Sequence, residues 1–312
     1  MKVIALAASL AALAVGAAAH AAPQPVEIDD KGVFPESMTA TAAGDLIVGS
    51  SAKGGVYRAR AGQAKAELFI DPKTTGIVAV LGVFADDRAN TLYVCSAAFG
   101  APPDKADSVS ALRLFDLKTG APKAAYPMPN GAKALCNDIA VAKDGSAFIT
   151  DTLGGQVLVL RKGASALATW VKDARLASVD GIAIGGDGAV VVNTVSSGHM
   201  FRIPMIKGGA PGEIAELTPS VKLGGPDGLR AIGGNRFLQA ENQIGRISVV
   251  TVTGTNATVT PIKEGEPGVT SAAVLKGQVW AINAKFAYRR DPVFKDKDPN
   301  PFLIEPVGPL PH

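Results

Sequence analysis

Four oxygen-bearing side chains stand at the same point of a recurring unit in this chain: Glu36, Asn137, Asp180 and Asp227. Carboxylate and amide oxygens, with no imidazole or thiolate among them, suit a hard divalent cation such as Ca2+, Mg2+ or Mn2+. Three carboxylates brought together without a cation repel one another and hold protons more tightly, and a bound divalent ion relieves that repulsion. Asp and Asn also cap turns by bonding nearby backbone N–H groups, so local capping is the competing reading. Asp144-Gly145 and Asp187-Gly188 fit it, because they lie between strands, whereas each of the four anchors stands before an apolar strand.

Whether the anchors meet depends on the elements that carry them. A unit of roughly 45 residues recurs six times, opening as FPESMTATAAGDLIVGS, LGVFADDRANTLYVCS, CNDIAVAKDGSAFITDT, VDGIAIGGDGAVVVNT, PDGLRAIGGNRFLQAEN and TSAAVLKGQVWAIN. Aligned on Glu36, Leu81, Asn137, Asp180, Asp227 and Thr270, the units step by 45, 56, 43, 47 and 43 residues. Each runs through a short apolar strand, turns at Gly or Asp-Gly, and continues into a second strand, which is a hairpin signature. Repeats of this length made only of strands predict an all-β fold, a six-bladed β-propeller with four-stranded antiparallel blades around a central channel. Equivalent rim positions would then face one axis. A second polar set about fourteen residues after each anchor returns to the same rim: Asp151-Thr152, Asn193-Thr194, Glu241-Asn242 and Asn283. These residues either support the anchors or face a substrate.

Third strands follow at VYRAR, QVLVL and HMFRI, and the candidates for outer strands are AELFI, ALATW, IAEL and TVTPI. The polar segment 100–108 reads as a loop overhanging the anchor rim, where specificity usually resides. PQPVEIDD near the start is placed to supply the outer strand of the last blade and close the ring. The stretch 291–312 holds six prolines and no periodicity, so it is expected to be an extended strap along the surface or a partly disordered end, outside the propeller of residues 23–290.

Lys2, the apolar run VIALAASLAALAVGAAA and Ala19-His20-Ala21 have the form of a secretory signal peptide over residues 1–22, the alternative being an uncleaved anchor. The expected protein is exported, periplasmic or secreted, and free of the membrane after cleavage. In that oxidising setting Cys95 and Cys136, on one rim of neighbouring blades, either form a disulfide or lie buried separately. A net charge of +3, with no clustered Lys/Arg stripe, gives no footprint for nucleic acid. With His20 in the signal and His312 terminal, His199 alone remains; it opens a third strand, expected away from the rim and half exposed. A histidine-based triad would hang on that one ring, and no nucleophile-elbow sequence is present.

FPES, CNDIA, VDGIA and PDGL at the blade openings resemble the SMP-30/gluconolactonase/LRE superfamily of six-bladed propellers, which adjoins the strictosidine-synthase-like and paraoxonase-like propellers. The resemblance spans about residues 30 to 290. It implies a metal held by Glu36, Asp180 and Asp227, with Asn137 helping to hold the substrate. Two contexts depart from the family pattern: Val179-Asp180-Gly181 brings an extra negative charge, and Pro35-Glu36-Ser37 replaces the usual surroundings of the first ligand. An Arg that contacts sugar lactones in some members has no counterpart.

The resemblance implies a metal-dependent lactonase or esterase acting on a small-molecule lactone at the channel mouth. One divalent cation is expected, Ca2+ first, with Mg2+, Mn2+ or Zn2+ as competitors. Asp227 would be the general base as well as a ligand, and Asn137, Asn193 and Asn242 would bind substrate. The rival expectations are a non-catalytic propeller that binds a ligand or partner through the same mouth, and an interaction scaffold without metal.

Overall fold

The computed structural model describes residues 22–98 and 109–311, so the signal segment and the loop expected over 100–108 lie outside the described residues. Each sequence repeat forms an up-and-down antiparallel meander. The second, third and fourth repeats are separate four-stranded sheets, and the fifth carries one extra short strand, Thr218–Pro219, at its outer edge. The first and last repeats are fused into one eight-stranded sheet. The junction is Val26–Ile28, antiparallel to Leu303–Pro309 of the last repeat and parallel to Lys65–Ile70 of the first. The segment near the start thus supplies the outer strand of the last repeat, as its sequence suggested. The four proposed outer strands also form: Lys65–Ile70, Ala168–Lys172, Ala215–Glu216 and Asn256–Lys263.

The proline-rich tail is a correction. Leu303–Pro309 is not a surface strap but the third strand of the last repeat, paired with Gln278–Asn283. Prolines are tolerated here because the outer neighbour pairs only with Leu303 and Ile304, which leaves Pro306 and Pro309 without a ladder donor to supply on that side. A bulge between Val279 and Trp280 takes up the remaining irregularity.

The opening strands of consecutive repeats touch one another in sequence, and the last, Val269–Leu275, touches the first, Pro35–Ala40. Apolar side chains of each repeat pack against those of its neighbours. Ile47 and Val56 meet Val83 and Val94; Phe148 and Val157 meet Val190 and Phe201; Met38 and Tyr57 meet Trp280 and Ile304. No repeat can bury its faces without both neighbours, so the core is shared around a closed circuit.

One irregularity recurs in every repeat. The register between first and second strands slips by one residue, and the extra residue falls at or beside Glu36, Leu81, Asn137, Asp180, Asp227 and Thr270. A β-bulge breaks the alternation of faces and re-aims a side chain. Cys95 and Cys136 are joined in a disulfide linking the second and third repeats, with Cα atoms 5.1 Å apart. Closing that span of 41 residues contributes about 4 kcal/mol in the chain-entropy description.

The residue after each bulged anchor faces the next repeat. At Gly82, Gly181 and Gly228 an added Cβ would lie 2.2, 2.2 and 2.7 Å from the anchor carbonyls of Asn137, Asp227 and Thr270. At Ser37, Asp138 and Ser271 a side-chain oxygen instead accepts a backbone N–H of the next repeat, from Val83, Ile182 and Met38 at 3.2 Å each. Gly181→Ala should therefore cost about 1–3 kcal/mol in urea unfolding, since backbone must move to admit the methyl group. An unchanged midpoint would show that the opening strands do not approach this closely.

Candidate functional site

Glu36, Asn137, Asp180 and Asp227 are each the second residue of a first strand, and the bulge turns all four inward. Carboxylate oxygens of Glu36, Asp180 and Asp227 lie within 4.8 Å of one another. All three side chains are buried, as is Asn137. They line a cavity of about 10 Å3, together with Ser37, Asp138, Gly228 and Ser271. That is room for one water-sized particle or a single ion. Residues scattered over the chain thus converge.

The electrostatics are those of a buried carboxylate cluster that Arg230 offsets only in part. Burial raises the Glu36 carboxyl well above its ordinary value, and Asp180 and Asp138 add to the effect while Arg230 opposes it. Asp180 is raised well above its ordinary value by burial, then by Asp227 and Asp138, with Asn137 opposing through a hydrogen bond. Asp227 is raised in the same way by burial, then by Glu36, and is partly relieved by Asn242. A divalent cation would supply the missing positive charge. The donor set fits one: three carboxylates and an amide oxygen, no nitrogen or sulfur ligand, and space for one ion.

The second strands hold this arrangement. Thr150 Oγ1 donates to the carbonyl of Asp180 at 2.6 Å, and Thr152 Oγ1 donates to that of Val179 at 2.7 Å while accepting Asn137 Nδ2 at 2.9 Å. Asn193 is fully buried, with Oδ1 accepting Gly181 N–H and Nδ2 donating to the Asp227 carbonyl, both at 2.8 Å. Its amide is a strut between the fourth and fifth repeats. The expectation that it touches substrate is corrected, because both ends are committed to backbone. Asn242 is half-buried and donates Nδ2 to Asp227 Oδ2 at 2.7 Å, so it steers the carboxylate and stays within reach of the mouth.

The rest of the second polar set follows the turn-capping reading. Asp151 accepts Leu135 N–H and Gly154 N–H at 2.8 and 3.0 Å. Glu241 accepts Gly224 N–H at 2.8 Å and pairs with Arg246 at 2.7 Å. His199 is opposite Thr194, hence at the anchor end of its sheet and not away from it as expected. It sits on the third strand, exposed, with Nδ1 3.0 Å from Glu216 Oε1.

Sequence reading missed the buried pair Asp138–Arg230. Arg230 Nη1 reaches both Asp138 oxygens at 2.9 and 2.7 Å, and Nη2 donates to Ser37 Oγ at 2.8 Å. One guanidinium from the fifth repeat thereby ties the first and third. The available signal was the position of Asp138 beside an anchor and of Arg230 in PDGLR, two charges where strand alternation wants apolar residues.

No family model and no curated protein matches the chain. Solved structures do. A gluconolactonase from Xanthomonas campestris aligns with TM-score 0.65 and 15% identity, over 94% of this chain and 99% of that one. A calcium-binding regucalcin from Agrobacterium tumefaciens gives 0.64 and 15%, over 91% and 95%. Virginiamycin B lyase from Staphylococcus aureus gives 0.56 and 14%, over 84% and 95%. At such identities the likeness establishes a shared all-β propeller fold, the one that SMP-30/gluconolactonase/LRE-like proteins have.

The raised carboxyls give a signed prediction. With chelator present, the folded chain keeps protons that the unfolded chain releases above the ordinary values of 3.8 and 4.5. Native protein then binds more protons, so its stability falls as pH rises from that range through the raised folded values. Saturating Ca2+ should flatten this slope and raise Tm at neutral pH. Identical pH–Tm curves with EDTA and with Ca2+ would mean that the cluster takes no cation.

Proposed function

We propose that the six repeats are the blades of one six-bladed propeller, and that the chain is an exported, divalent-cation-dependent hydrolase of lactonase or esterase type. The observation that carries this reading is the convergence of Glu36, Asp180 and Asp227 within 4.8 Å, beside Asn137, from the opening strands of four repeats. The structural likeness to a gluconolactonase and to a calcium-binding regucalcin supports it. The disulfide supports an oxidising compartment such as the periplasm.

Glu36, Asp180 and Asp227 would hold the cation, Ca2+ in the first instance. When bound, it supplies Lewis-acid polarisation of a carbonyl and charge for an oxyanion. The chain's own residues do the remainder. Asp227 is fixed by Asn242 on Oδ2, and its other oxygen is the atom that would take a proton from water. Burial and the nearby Glu36 raise its proton affinity in the cation-free chain, and a bound cation would lower it again. Asn137, tethered by Thr152, lines the cavity beside the reacting group and would orient the substrate ring. Asn193 acts at one remove, by holding the backbone on which Asp227 stands.

Mature protein should hydrolyse lactones when Ca2+ is supplied and stop when it is chelated. Asp227→Asn should lower kcat by roughly 10²–10⁴-fold while the circular dichroism spectrum is kept. Unchanged turnover in Asp227→Asn would remove the assigned role. Cation binding without hydrolysis of any sugar, aliphatic or aromatic lactone would leave the non-catalytic binding propeller as the correct reading.

A further inference from the structure

The turn between second and third strands is short in most repeats: residues 152–155 make it in the third and 242–245 in the fifth. In the last repeat the same turn is the segment 284–302, placed at the end of the sheet where the anchors stand. It is a built structure. A short helix, Ala287–Arg290, and a turn, Pro292–Phe294, are folded back by Lys285, whose Nζ donates to the carbonyls of Pro299 and Pro301 at 2.7 and 2.8 Å. The Tyr288 and Phe294 rings meet at 4.7 Å, and Phe302 packs on Phe34 at 5.0 Å.

This segment borders an open concave space of about 520 Å3, within the range of small-molecule sites. Its wall combines Phe286, Tyr288 and Phe294 with Arg290, Lys285 and Asn242, and among the described residues no carboxylate lines it. Asn242 is the shared partition, since its amide also holds Asp227 at 2.7 Å. Arg290 stands 4.8 Å over the Phe286 ring and has no hydrogen bond or ion pair among the described residues. Lys285 is spent on the fold of the segment, so Arg290 is the cation left to meet a ligand.

We propose that this cavity selects the substrate, and that the substrate is a lactone or ester carrying both a planar apolar body and a carboxylate. This deepens the hydrolase reading and rests on it for the reaction. The rings of Phe286, Tyr288 and Phe294 would pack on the apolar body. The guanidinium of Arg290 would take the carboxylate in a charge-assisted, two-pronged pair. Asn242 links the two places: it lines this cavity and holds Asp227 Oδ2 at 2.7 Å, so a ligand seated against it would lie beside Asp227. A polyhydroxylated sugar lactone matches this wall poorly, having neither an apolar face to cover the rings nor an anion for the arginine.

The test compares dihydrocoumarin, its 6-carboxy derivative and D-glucono-1,5-lactone, with Ca2+ present. Wild-type protein should use the carboxylated aromatic lactone with kcat/KM about tenfold or more above the neutral one, and the sugar lactone least, since one charge-assisted pair is worth roughly ten- to a hundredfold. In Arg290→Gln that carboxylate preference should collapse, whereas Lys295→Gln, on the same segment but outside the cavity wall, should keep it. Equal use of both aromatic lactones by wild type, a preference for the sugar lactone, or a preference that survives Arg290→Gln would overturn the proposal. Turnover of none of them would sink the hydrolase reading, and the cavity is then decided by calorimetry with the unreactive lactam 2-oxo-1,2,3,4-tetrahydroquinoline-6-carboxylate. About tenfold tighter binding to wild type than to Arg290→Gln supports the pocket; equal or absent binding rejects it.

Discussion

A single extra residue in the opening strand of every repeat governs how this protein is built. Without the slip at Glu36, Asn137, Asp180 and Asp227, strand alternation would carry on unbroken and the anchors would have no common direction. With it, each anchor turns out of the ladder and the next residue turns toward the adjoining sheet. That next residue is Gly where backbone crowds in, and Ser or Asp where a backbone N–H needs an acceptor. The same distortion therefore places the site residues and sets the spacing between sheets. Site and ring closure cannot be separated physically, because both depend on the inner strands coming close together.

Burying so much negative charge requires compensation. Arg230 supplies part of it from within the fold, pairing with Asp138 and reaching Ser37. Breaking such a buried pair by removing one partner costs about 3–5 kcal/mol, because the other charge is left uncompensated. The remaining excess falls on Glu36, Asp180 and Asp227, whose raised proton affinities express it. A resident positive charge at this spot is thus favoured on stability grounds alone, before any chemistry is considered. The neighbouring cavity under the segment 284–302 has the opposite character, aromatic and basic, so the two halves of the mouth would bind opposite ends of one ligand.

Much of this was legible in the sequence because hairpin chemistry is local. Asp144-Gly145 and Asp187-Gly188 mark turns, the apolar runs beside them mark strands, and the repeat length follows. The anchors were legible for the same reason, since a polar residue before an apolar strand stands out once the units are aligned. What failed was whatever depended on the partner strand. Pro306 and Pro309 spoke against a strand, and only the short reach of Val26–Ile28 shows why they are tolerated. Asn193 and Asn242 are similar residues at neighbouring points of their repeats, yet one is a buried strut and the other borders the mouth. Their difference lies in which backbone groups the adjoining sheet presents. The Asp138–Arg230 pair joins residues far apart in sequence, and no local pattern announces it.

The central claim is that Glu36, Asp180 and Asp227, turned inward from three repeats beside Asn137, would hold one ion. Crystals grown with Mn2+ and measured at a wavelength where manganese scatters anomalously would locate it directly. One strong peak among the side-chain oxygens of Glu36, Asn137, Asp180 and Asp227 is the result this account predicts. A map with no peak there, or with manganese bound only at other surface carboxylates, would contradict it.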